Sequence, residues 1–506
     1  MPARRKSYSL RPQRPRRRLL RALVWIVLVL CLPPLAWLVW NRIDEAPNAD
    51  ALRWGNPPAR EVADADNAWL YLFGVGAAEN DDPAAYGRRR ANAYLARAGN
   101  HPKAKPDPLE DAANDPTPHV APDERIDGIR QLCSMRETDC IGWAAQHRTA
   151  LQRLAQANRV RLQRFEVLLG LPLWQEAPLL SLDFPLPDTD LAALSINLLA
   201  LEANDAARIP DVAAELVRHV ALWRHATEQP EWLLSKIIGF VSIERCQRLL
   251  VELHERATPA QREQMQAAVD AVFAPPGTAA TNLDVVAYEH FQTTSIAFRR
   301  EIPGLWQSLR NCVHGEPTNG SCGKDLAFSA TFLPQATINI SARLDTAMAD
   351  FLAAGPREEA AAGQRYAELV ERENPLHDSA SALSMLGHNG TGRVLAFVAI
   401  PKANWRRRLN DYETLRRMLL VKLAAIRGNV AANQMPEFLA SQPTSLRHPY
   451  RDKFIGWDAQ KRAIIATAAT EDTFKQNDIV VAYAPAAPPA AVAPAPTRKA
   501  PKAARR

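Results

Sequence analysis

The sequence predicts a mainly α-helical protein. A single N-terminal transmembrane helix leads into an irregular extracytoplasmic body of antiparallel α-helical hairpins, which ends in a small C-terminal β-containing cap. Three observations predict this fold class. Residues 22–40 carry no charge, apolar residues recur at helical spacing through much of 129–445, and short runs of β-branched and aromatic residues follow residue 446.

Charge and composition divide the chain into six segments. In order, these are a basic cytoplasmic segment (1–21), the transmembrane helix (22–40), a polar linker and loop-rich entry region (41–128), the helical body (129–445), the β-containing cap (446–484) and a disordered Pro/Ala-rich basic tail (485–506). The tail has too little apolar surface to fold by itself.

The formal net charge of +7 comes from the two ends of the chain. Residues 1–21 contribute nine basic side chains and residues 498–506 contribute five, without any acidic residue in either stretch. The remaining 48 basic residues face 55 acidic ones, so the body carries a formal charge of −7. A nucleic-acid-binding domain would concentrate basic charge on its folded surface, and we therefore expect no nucleic-acid partner.

Residues 22–40 form an uncharged stretch of nineteen residues, which is close to the roughly twenty that a membrane-spanning helix needs. The basic cluster before the stretch favours a cytoplasmic N-terminus. A cleaved signal peptide is the alternative, but Trp37 and Trp40 stand where small residues would be required. We therefore expect a retained anchor, with Trp25, Trp37 and Trp40 near the membrane interfaces.

We therefore expect the protein to be located in a bacterial inner membrane, which it crosses once, with its body in the periplasm. The overall composition, rich in Ala, Arg and Pro, is typical of a GC-rich bacterium. The cysteines agree with an oxidising compartment, because Cys133 and Cys140 form one close pair and Cys312 and Cys322 another. We expect two local disulfides, and Cys246 to be buried and inert.

A metal site is the competing interpretation of the second cysteine pair, with His314 as a third ligand. Structural zinc sites usually pair cysteines two to four residues apart and contain a second such pair, and neither pair has that spacing. Glu215 and His219 do not indicate a metal site either, because they lie four residues apart on one helix without the partners that such a site needs. We therefore predict no metal and no cofactor.

The helical body shows several start signals. Helices are expected to begin near residues 190, 210, 231 and 259, with Pro210 in a first turn and a capping box formed by Thr258 and Gln261. The uneven spacing argues against a regular repeat. Residues 77–128, rich in Pro, Asp and Ala, are expected to be loop-like.

The cap contains three β-like runs, 454–457, 463–467 and 479–483. A turn at 458–461 could join the first two as a hairpin.

The search for catalytic residues yields four weak candidates. Glu289 and His290 are adjacent on a probable helix, where successive side chains point about 100° apart and cannot converge on one atom. His377 and His388 lie in the Gly-containing segment 375–393, and loops often carry function. The interpretation of this segment that we favour is an ordinary polar connector.

The sequence therefore favours a membrane-anchored periplasmic protein with a non-enzymatic binding or scaffolding role in the bacterial cell envelope, and with another envelope protein as its partner. One alternative is an envelope hydrolase or transferase acting on peptidoglycan, lipid or peptide, which would need the four candidate residues to converge in a cleft. Another is a helical body that binds a lipid or small ligand, which would need a large apolar cavity.

Overall fold

The computed structural model describes residues 15–56, 62–100, 132–133, 139–177, 187–302, 305–315, 321–355, 357–374, 387–398, 405–450, 453–469 and 478–483. These residues are mostly helical, with a small three-stranded antiparallel sheet near the C-terminal end, which confirms the predicted fold class at this level. The first fourteen residues and the tail 485–506 lie outside the described part, so the predictions made for them stay predictions.

The chain divides into two compact units, and neither is continuous in sequence. The first comprises residues 1–56, 294–344 and 367–400, and the second comprises 57–293, 345–366 and 401–506. This division cuts through the segment 129–445, which the sequence suggested as one helical body.

The first unit contains the N-terminal helix and several shorter helices. Its helices are α1 (Pro15–Trp40), α2 (Ala49–Gly55), α15 (Leu305–Val313), α16 (Cys322–Ala330), the first half of α17 (Pro334–Ala353), the end of α18 (Glu359–Glu373) and α19 (Gly390–Val398). A π-helical turn, Ala297–Glu301, precedes α15.

Helix α1 contains an 18-residue window, Leu23–Trp40, with a mean hydropathy of 2.4 and no residue buried by the rest of the protein. By length and composition this window could cross a membrane, although such helices also occur as signal sequences. Pro33 and Pro34 lie inside the helix. The predicted span thus coincides with one exposed apolar helix.

The second unit is the larger one. Its helices are α3 (Ala68–Phe73), α4 (Pro83–Asn100), α5 (Cys140–Gln146), α6 (Arg148–Ala157), α7 (Arg159–Leu168), α8 (Asp190–Glu202), α9 (Ile209–Glu228), α10 (Leu233–Arg256), α11 (Pro259–Gln264), α12 (Gln266–Val272), α13 (Thr278–Thr281), most of α14 (Asp284–Ile296), the remainders of α17 and α18, α20 (Trp405–Arg427) and α21 (Met435–Ala440). Short 3₁₀ turns at Ala432–Gln434 and Thr444–Leu446 flank α21.

The helix start signals act locally as the sequence predicts. Thr258 and Gln261 form the reciprocal capping box at α11, and Pro210 lies in the first turn of α9. The four expected starts near 190, 210, 231 and 259 are observed at 190, 209, 233 and 259. The capping box of α11 and the proline of α9 lie within a few residues of the starts that they mark, which is why the sequence alone predicts these two starts well.

The entry region differs from the loop-like chain that the sequence predicted. Helix α4 begins at Pro83, with the preceding Asp82 accepting hydrogen bonds from the first-turn amides, and it buries Tyr86 and Tyr94. Burial of two aromatic side chains outweighs the polar composition of this stretch. Residues 101–128, the remainder of the predicted loop, lie outside the described residues.

The core of the second unit is centred on the antiparallel pair α9 and α10. Trp223 of α9 is fully buried, and Gly239 of α10 allows a close approach between the two helices. A Cβ atom at Gly239 would lie 2.9 Å from the Trp223 carbonyl oxygen and 2.7 Å from the Thr227 methyl carbon. The pair therefore positions the first turn of α10, which carries several buried polar groups.

The C-terminal cap is a meander of three strands, β1 (Ile455–Asp458), β2 (Ala463–Thr467) and β3 (Asp478–Ala482), with β2 in the centre. Ile455 pairs with Ala466 and Asp458 with Ala463, so the first two strands form the expected hairpin. Asp458 accepts hydrogen bonds from the backbone amides of Gln460 and Lys461, and Arg462 adopts a left-handed conformation (φ 49°).

Candidate functional site

The side chain of the predicted candidate Glu289 hydrogen-bonds to the start of helix α10. Its carboxylate accepts a hydrogen bond from the Leu233 amide at 2.5 Å, and the Leu234 amide also contributes. Burial raises the pKa of Glu289, and these two amides oppose the shift. The first amides of α10 have no partner within the helix, so Glu289 has a structural role as a capping group.

Glu176 caps the same helix and was not identified from the sequence. Its carboxylate accepts hydrogen bonds from the amides of Glu231 and Trp232, both at 2.7 Å, and from the Trp174 indole at 3.3 Å. Burial raises the pKa of Glu176 to about 8, against hydrogen bonds with Ser235, Trp174 and the two amides that lower it. Two acidic side chains from distant segments therefore complete the start of α10.

Lys236 lies in the first turn of the same helix. Its ammonium group donates to the carbonyl oxygens of Thr227 and Ala279, at 2.9 and 3.1 Å. Burial lowers the pKa of Lys236 to about 8, and the nearby Arg406 adds to the shift. The ammonium donates to backbone carbonyls, which again indicates a structural role.

The predicted candidate His290 forms a hydrogen bond with Asp345, at 2.5 Å between Nδ1 and Oδ1. The Asp345 side chain is fully buried, while the His290 side chain is 13% exposed. Tyr366 lies near Asp345, and burial together with this carboxylate raises the pKa of Tyr366 to about 12. Although Glu289 and His290 are adjacent in sequence, the structure therefore directs them to different partners.

The predicted candidates His377 and His388 have different outcomes. His377 lies outside the described residues. His388 belongs to the first unit, where its ring stacks on Trp40 with a centroid separation of 5.3 Å. Helix α19 begins at Gly390, so the last part of the predicted loop 375–393 is helical instead.

Asn389, directly before α19, connects this segment to the start of α17. Its side-chain oxygen accepts hydrogen bonds from the Leu333 amide, at 2.9 Å, and from the Thr337 hydroxyl, at 3.1 Å. Gly392 is required at this contact, because a Cβ atom there would lie 1.9 Å from the Thr337 hydroxyl oxygen. Gly392, in the segment that the sequence suggested as a loop, therefore permits close packing.

A buried serine–histidine pair is the nearest approach to a nucleophile among the described side chains. The Ser195 hydroxyl lies 3.3 Å from His219 Nε2, and both residues are buried. Burial lowers the pKa of His219 to about 3, and its Nδ1 atom has no hydrogen-bond partner. A catalytic histidine would need an orienting group at that nitrogen, so the pair is an internal polar contact. Glu215, one turn before His219 on the same helix, pairs with Arg218.

The first cysteine pair forms the expected disulfide, Cys133–Cys140, with its Cα atoms 5.6 Å apart. The Cys312 and Cys322 side chains lie in contact without an S–S bond in this structure, and the hydrogen bond between them is the largest contribution that raises the pKa of Cys312, to about 11. Their predicted disulfide stays a prediction. Cys246 is fully buried, and burial raises its thiol pKa to about 12.

A groove of about 440 Å³ lies between α21 and β1 in the second unit. Leu439 and Ala440 line it from the helix, Val421 of α20 contributes an apolar side chain, and the segment 453–457 lines it from the strand. Successive side chains of a strand point to opposite faces. Because five consecutive residues line the same space, the groove follows the edge of β1 and not one face of the sheet.

The edge of β1 is open. In the sheet order β1–β2–β3, the outer side of β1 pairs with no other strand of the described chain. Phe454, at the start of this edge, is 73% exposed, and its ring lies against Gly456. An open strand edge beside an apolar groove can accept another extended chain through main-chain hydrogen bonds.

The charges around the groove are basic. Arg447, His448 and Lys453 are among the lining residues, and the groove lining includes no Asp or Glu. The Tyr450 amide donates to His448 Nδ1, so the ring carries its proton on Nε2, which donates to the Thr467 carbonyl. Arg447 and Lys453 donate to backbone carbonyls of Gln442 and Ala468, and neither forms an ion pair with a described carboxylate.

The described side chains contain no cluster of three or more His, Cys, Asp or Glu residues that could hold a metal ion. No protein-family model matches the chain, and no curated protein or solved structure is significantly similar to it. Among the residues that the structure describes, the open groove is the candidate site that the geometry supports.

Proposed function

We propose that the protein is a non-enzymatic binding protein, held in a bacterial inner membrane by α1, that captures an extended segment of another envelope protein in the groove between α21 and β1. The N-terminus lies in the cytoplasm, and the second unit and the part of the first unit that follows α1 lie in the periplasm. The observation that carries this proposal is the open edge of β1 beside an apolar, basic groove.

The groove suits an extended polypeptide with apolar and acidic residues. The main chain of such a segment would pair with β1, and its alternate side chains would enter the space beside Leu439 and Val421. Arg447 and Lys453 would attract carboxylates, because no described acidic side chain already pairs with them. The four residues of β1 present about 13 Å of strand edge, enough to hold a short segment.

The location rests on two further observations. The Leu23–Trp40 window is long and apolar enough to cross a membrane, and nine basic residues precede it. The Cys133–Cys140 disulfide favours an oxidising compartment for the second unit.

Peptide display against the purified full chain tests the binding site. We expect selected peptides to alternate apolar residues with Asp or Glu, and their affinity to fall by about tenfold or more, or about 1.4 kcal/mol per factor of ten, in the double variant R447E/K453E. N-methylation of every second peptide amide should abolish binding in one register and spare it in the other, because only alternate amides face the strand edge.

The matched control is R159E/R365E, which makes the same charge change at two exposed arginines of the second unit outside the groove lining. This variant should bind the selected peptides like the wild type. Selected peptides that bind R447E/K453E as tightly as the wild type, or a selection that enriches no sequence, would exclude the groove as the binding site.

Reporter fusions test the location. Alkaline phosphatase fused after Tyr483 should be active, and a fluorescent protein that matures only in the cytoplasm should stay dark at the same site. The reverse pattern would place the body in the cytoplasm and exclude an envelope role.

An envelope hydrolase or transferase is the second candidate, and one observation favours it. The buried Asp345 carboxylate contacts Nδ1 of the partly exposed His290, as in sites where an acid orients a catalytic histidine. The H290N variant tests it. Loss of turnover of a peptidoglycan, lipid ester or peptide substrate, with unchanged peptide capture by the groove, would favour the enzyme.

A further inference from the structure

Helix α15 exposes three apolar side chains to solvent. Trp306 is 73% exposed, Leu309 39% and Val313 76%. Their spacing of three and seven residues places them on one side of the helix. On another side, Ser308 is fully buried and its hydroxyl hydrogen-bonds to Ser329 of α16 at 2.6 Å. We call Trp306, Leu309 and Val313 the α15 stripe.

Contacts within the first unit connect the α15 stripe to the end of α1. Asn41 directly follows α1, and its side-chain oxygen accepts a hydrogen bond from the Asn389 amide at 3.1 Å. The Asn389 side chain in turn accepts from the Leu333 amide. Leu333 lies four residues after Ser329, which contacts α15 through Ser308.

A second connection fixes the start of α17 to the chain that leaves α1. The Asp44 carboxylate accepts hydrogen bonds from the amides of Gln335 and Ala336, at 2.9 and 2.8 Å. The start of α2 is also held to α17, because the backbone amide of Asn48 donates to the Asn339 side chain at 3.0 Å. The rest of the first unit is therefore attached directly to the end of the apolar helix α1, without an intervening free linker.

We propose that the α15 stripe docks on the lipid surface of the same membrane that α1 spans, so that the protein has an interfacial contact in addition to its anchor. This inference rests on the proposed membrane anchor. Tryptophan prefers the head-group region of a bilayer, and an amphipathic helix buries its apolar side there. Arg310 is exposed beside Trp306, where it can meet lipid phosphates.

A lipid surface fits the stripe better than a protein partner does. Three side chains on nine residues of helix are a small area compared with the roughly 800 Å² per partner of a stable protein interface. Membrane contact needs less area, because α1 already holds the first unit at the bilayer and no further translational freedom is lost.

Fluorescence quenching by brominated phospholipid tests the inference in the full chain reconstituted into vesicles of phosphatidylethanolamine and phosphatidylglycerol. A polarity-sensitive fluorescent amino acid replaces Trp306 or Val313 in separate variants. The matched control is Gln307, which is exposed on the same helix but about 100° from Trp306. Val39, in the apolar window of α1, is the positive control.

We expect labels at 306, 313 and 39 to emit at shorter wavelength in vesicles and to lose most of their fluorescence to the brominated lipid, with little loss at 307. Quenching at 39 without quenching at 306 and 313 overturns the stripe inference but leaves the anchor intact. Absence of quenching at 39 overturns the anchor itself. A 306 label that is shielded in detergent and unquenched in vesicles would show that a second copy covers the stripe, which also overturns the inference.

Discussion

The start of α10 and the groove beside β1 differ in how their polar groups are used. At the start of α10, burial shifts the pKa values of Glu176, Glu289 and Lys236 from their ordinary values in water. Every one of these charged groups hydrogen-bonds to the protein backbone. In the groove, Arg447 and Lys453 also donate to backbone carbonyls, but these cations are partly solvated and the outer edge of β1 has no partner strand in the described chain.

This difference teaches that a shifted pKa does not by itself identify a functional site in this protein. Buried carboxylates near a helix start are needed to satisfy amides that the helix leaves without partners, and the shift follows from that burial. A binding site instead needs hydrogen-bonding capacity and charge that the folded chain leaves available for a ligand.

The largest expected effect is that of removing Glu176. The E176A variant should lower the free energy of unfolding by roughly 3 kcal/mol, because the amides of Glu231 and Trp232 lose their acceptor in a buried place. Urea denaturation followed by circular dichroism measures the change. The control E263A removes an exposed glutamate of α11 and should stay within about 0.5 kcal/mol of the wild type. A stability of E176A equal to that of E263A would show that Glu176 is not structural.

The pH dependence of stability should also depend on Glu176. Its pKa of about 8 in the folded protein lies above the ordinary value of 4.5, so the folded state holds a proton that the unfolded state has already released. The free energy of unfolding should therefore decrease as the pH rises from about 4.5 through about 8, at about 1.4 kcal/mol per pH unit from this group.

Comparing the wild type with E176Q isolates this contribution. Between pH 6.5 and 8, the wild type should lose about 2 kcal/mol more stability than E176Q, whose amide does not titrate. Urea unfolding at several pH values provides the measurement. Parallel curves for the two proteins would mean that Glu176 is ionised in the folded state and that its hydrogen bonds outweigh its burial.

The groove should respond to salt where the start of α10 does not. Raising the ionic strength from about 0.01 M to about 1 M shortens the Debye length from about 30 Å to about 3 Å. The affinity for a selected acidic peptide should fall by about tenfold, or about 1.4 kcal/mol. Titration calorimetry on the wild type and on R447E/K453E checks this, and an equal salt effect on both would show that these cations do not attract the peptide.

The smallest expected effect is that of G456A. The added Cβ atom would lie 3.1 Å from the Phe454 ring, so the exposed ring must shift by a few tenths of an ångström. We expect peptide affinity to weaken by two- to threefold, or about 0.5 kcal/mol, with unfolding changed by less than about 1 kcal/mol. The A440G variant enlarges the groove on the opposite wall and serves for comparison. Binding that is unchanged in G456A would argue that the peptide does not contact Phe454.

Features encoded by neighbouring residues could be predicted from the sequence. The capping box of Thr258 and Gln261, the start at Pro210, the Cys133–Cys140 disulfide and the hairpin turn after Asp458 each depend on side chains within a few positions. The apolar helix α1 could also be predicted from the sequence, because its signal is composition alone.

Features that depend on distant contacts could not be predicted. Glu176 caps a helix that begins 57 positions later in the chain, and Glu289 reaches the same helix from 56 positions beyond its first residue. The groove exists because α21 packs beside a strand whose edge remains open, and neither property has a local sequence signal. Helix α4 was missed because Pro, Asp and Ala in its surroundings resemble a loop, whereas buried Tyr86 and Tyr94 determine its structure.

The attachment of Asp44 to the start of α17 keeps this helix close to the end of α1. Asp44 follows Trp40 by four positions, so the Cα atom of Asp44, whose side chain binds the start of α17, lies no more than about 14 Å from the Cα atom of Trp40. With α1 in a bilayer, the first unit cannot search the surrounding volume. It meets other molecules by lateral diffusion in a thin layer above the lipid, where a membrane-held partner arrives by a two-dimensional search and a freely dissolved one has no such advantage.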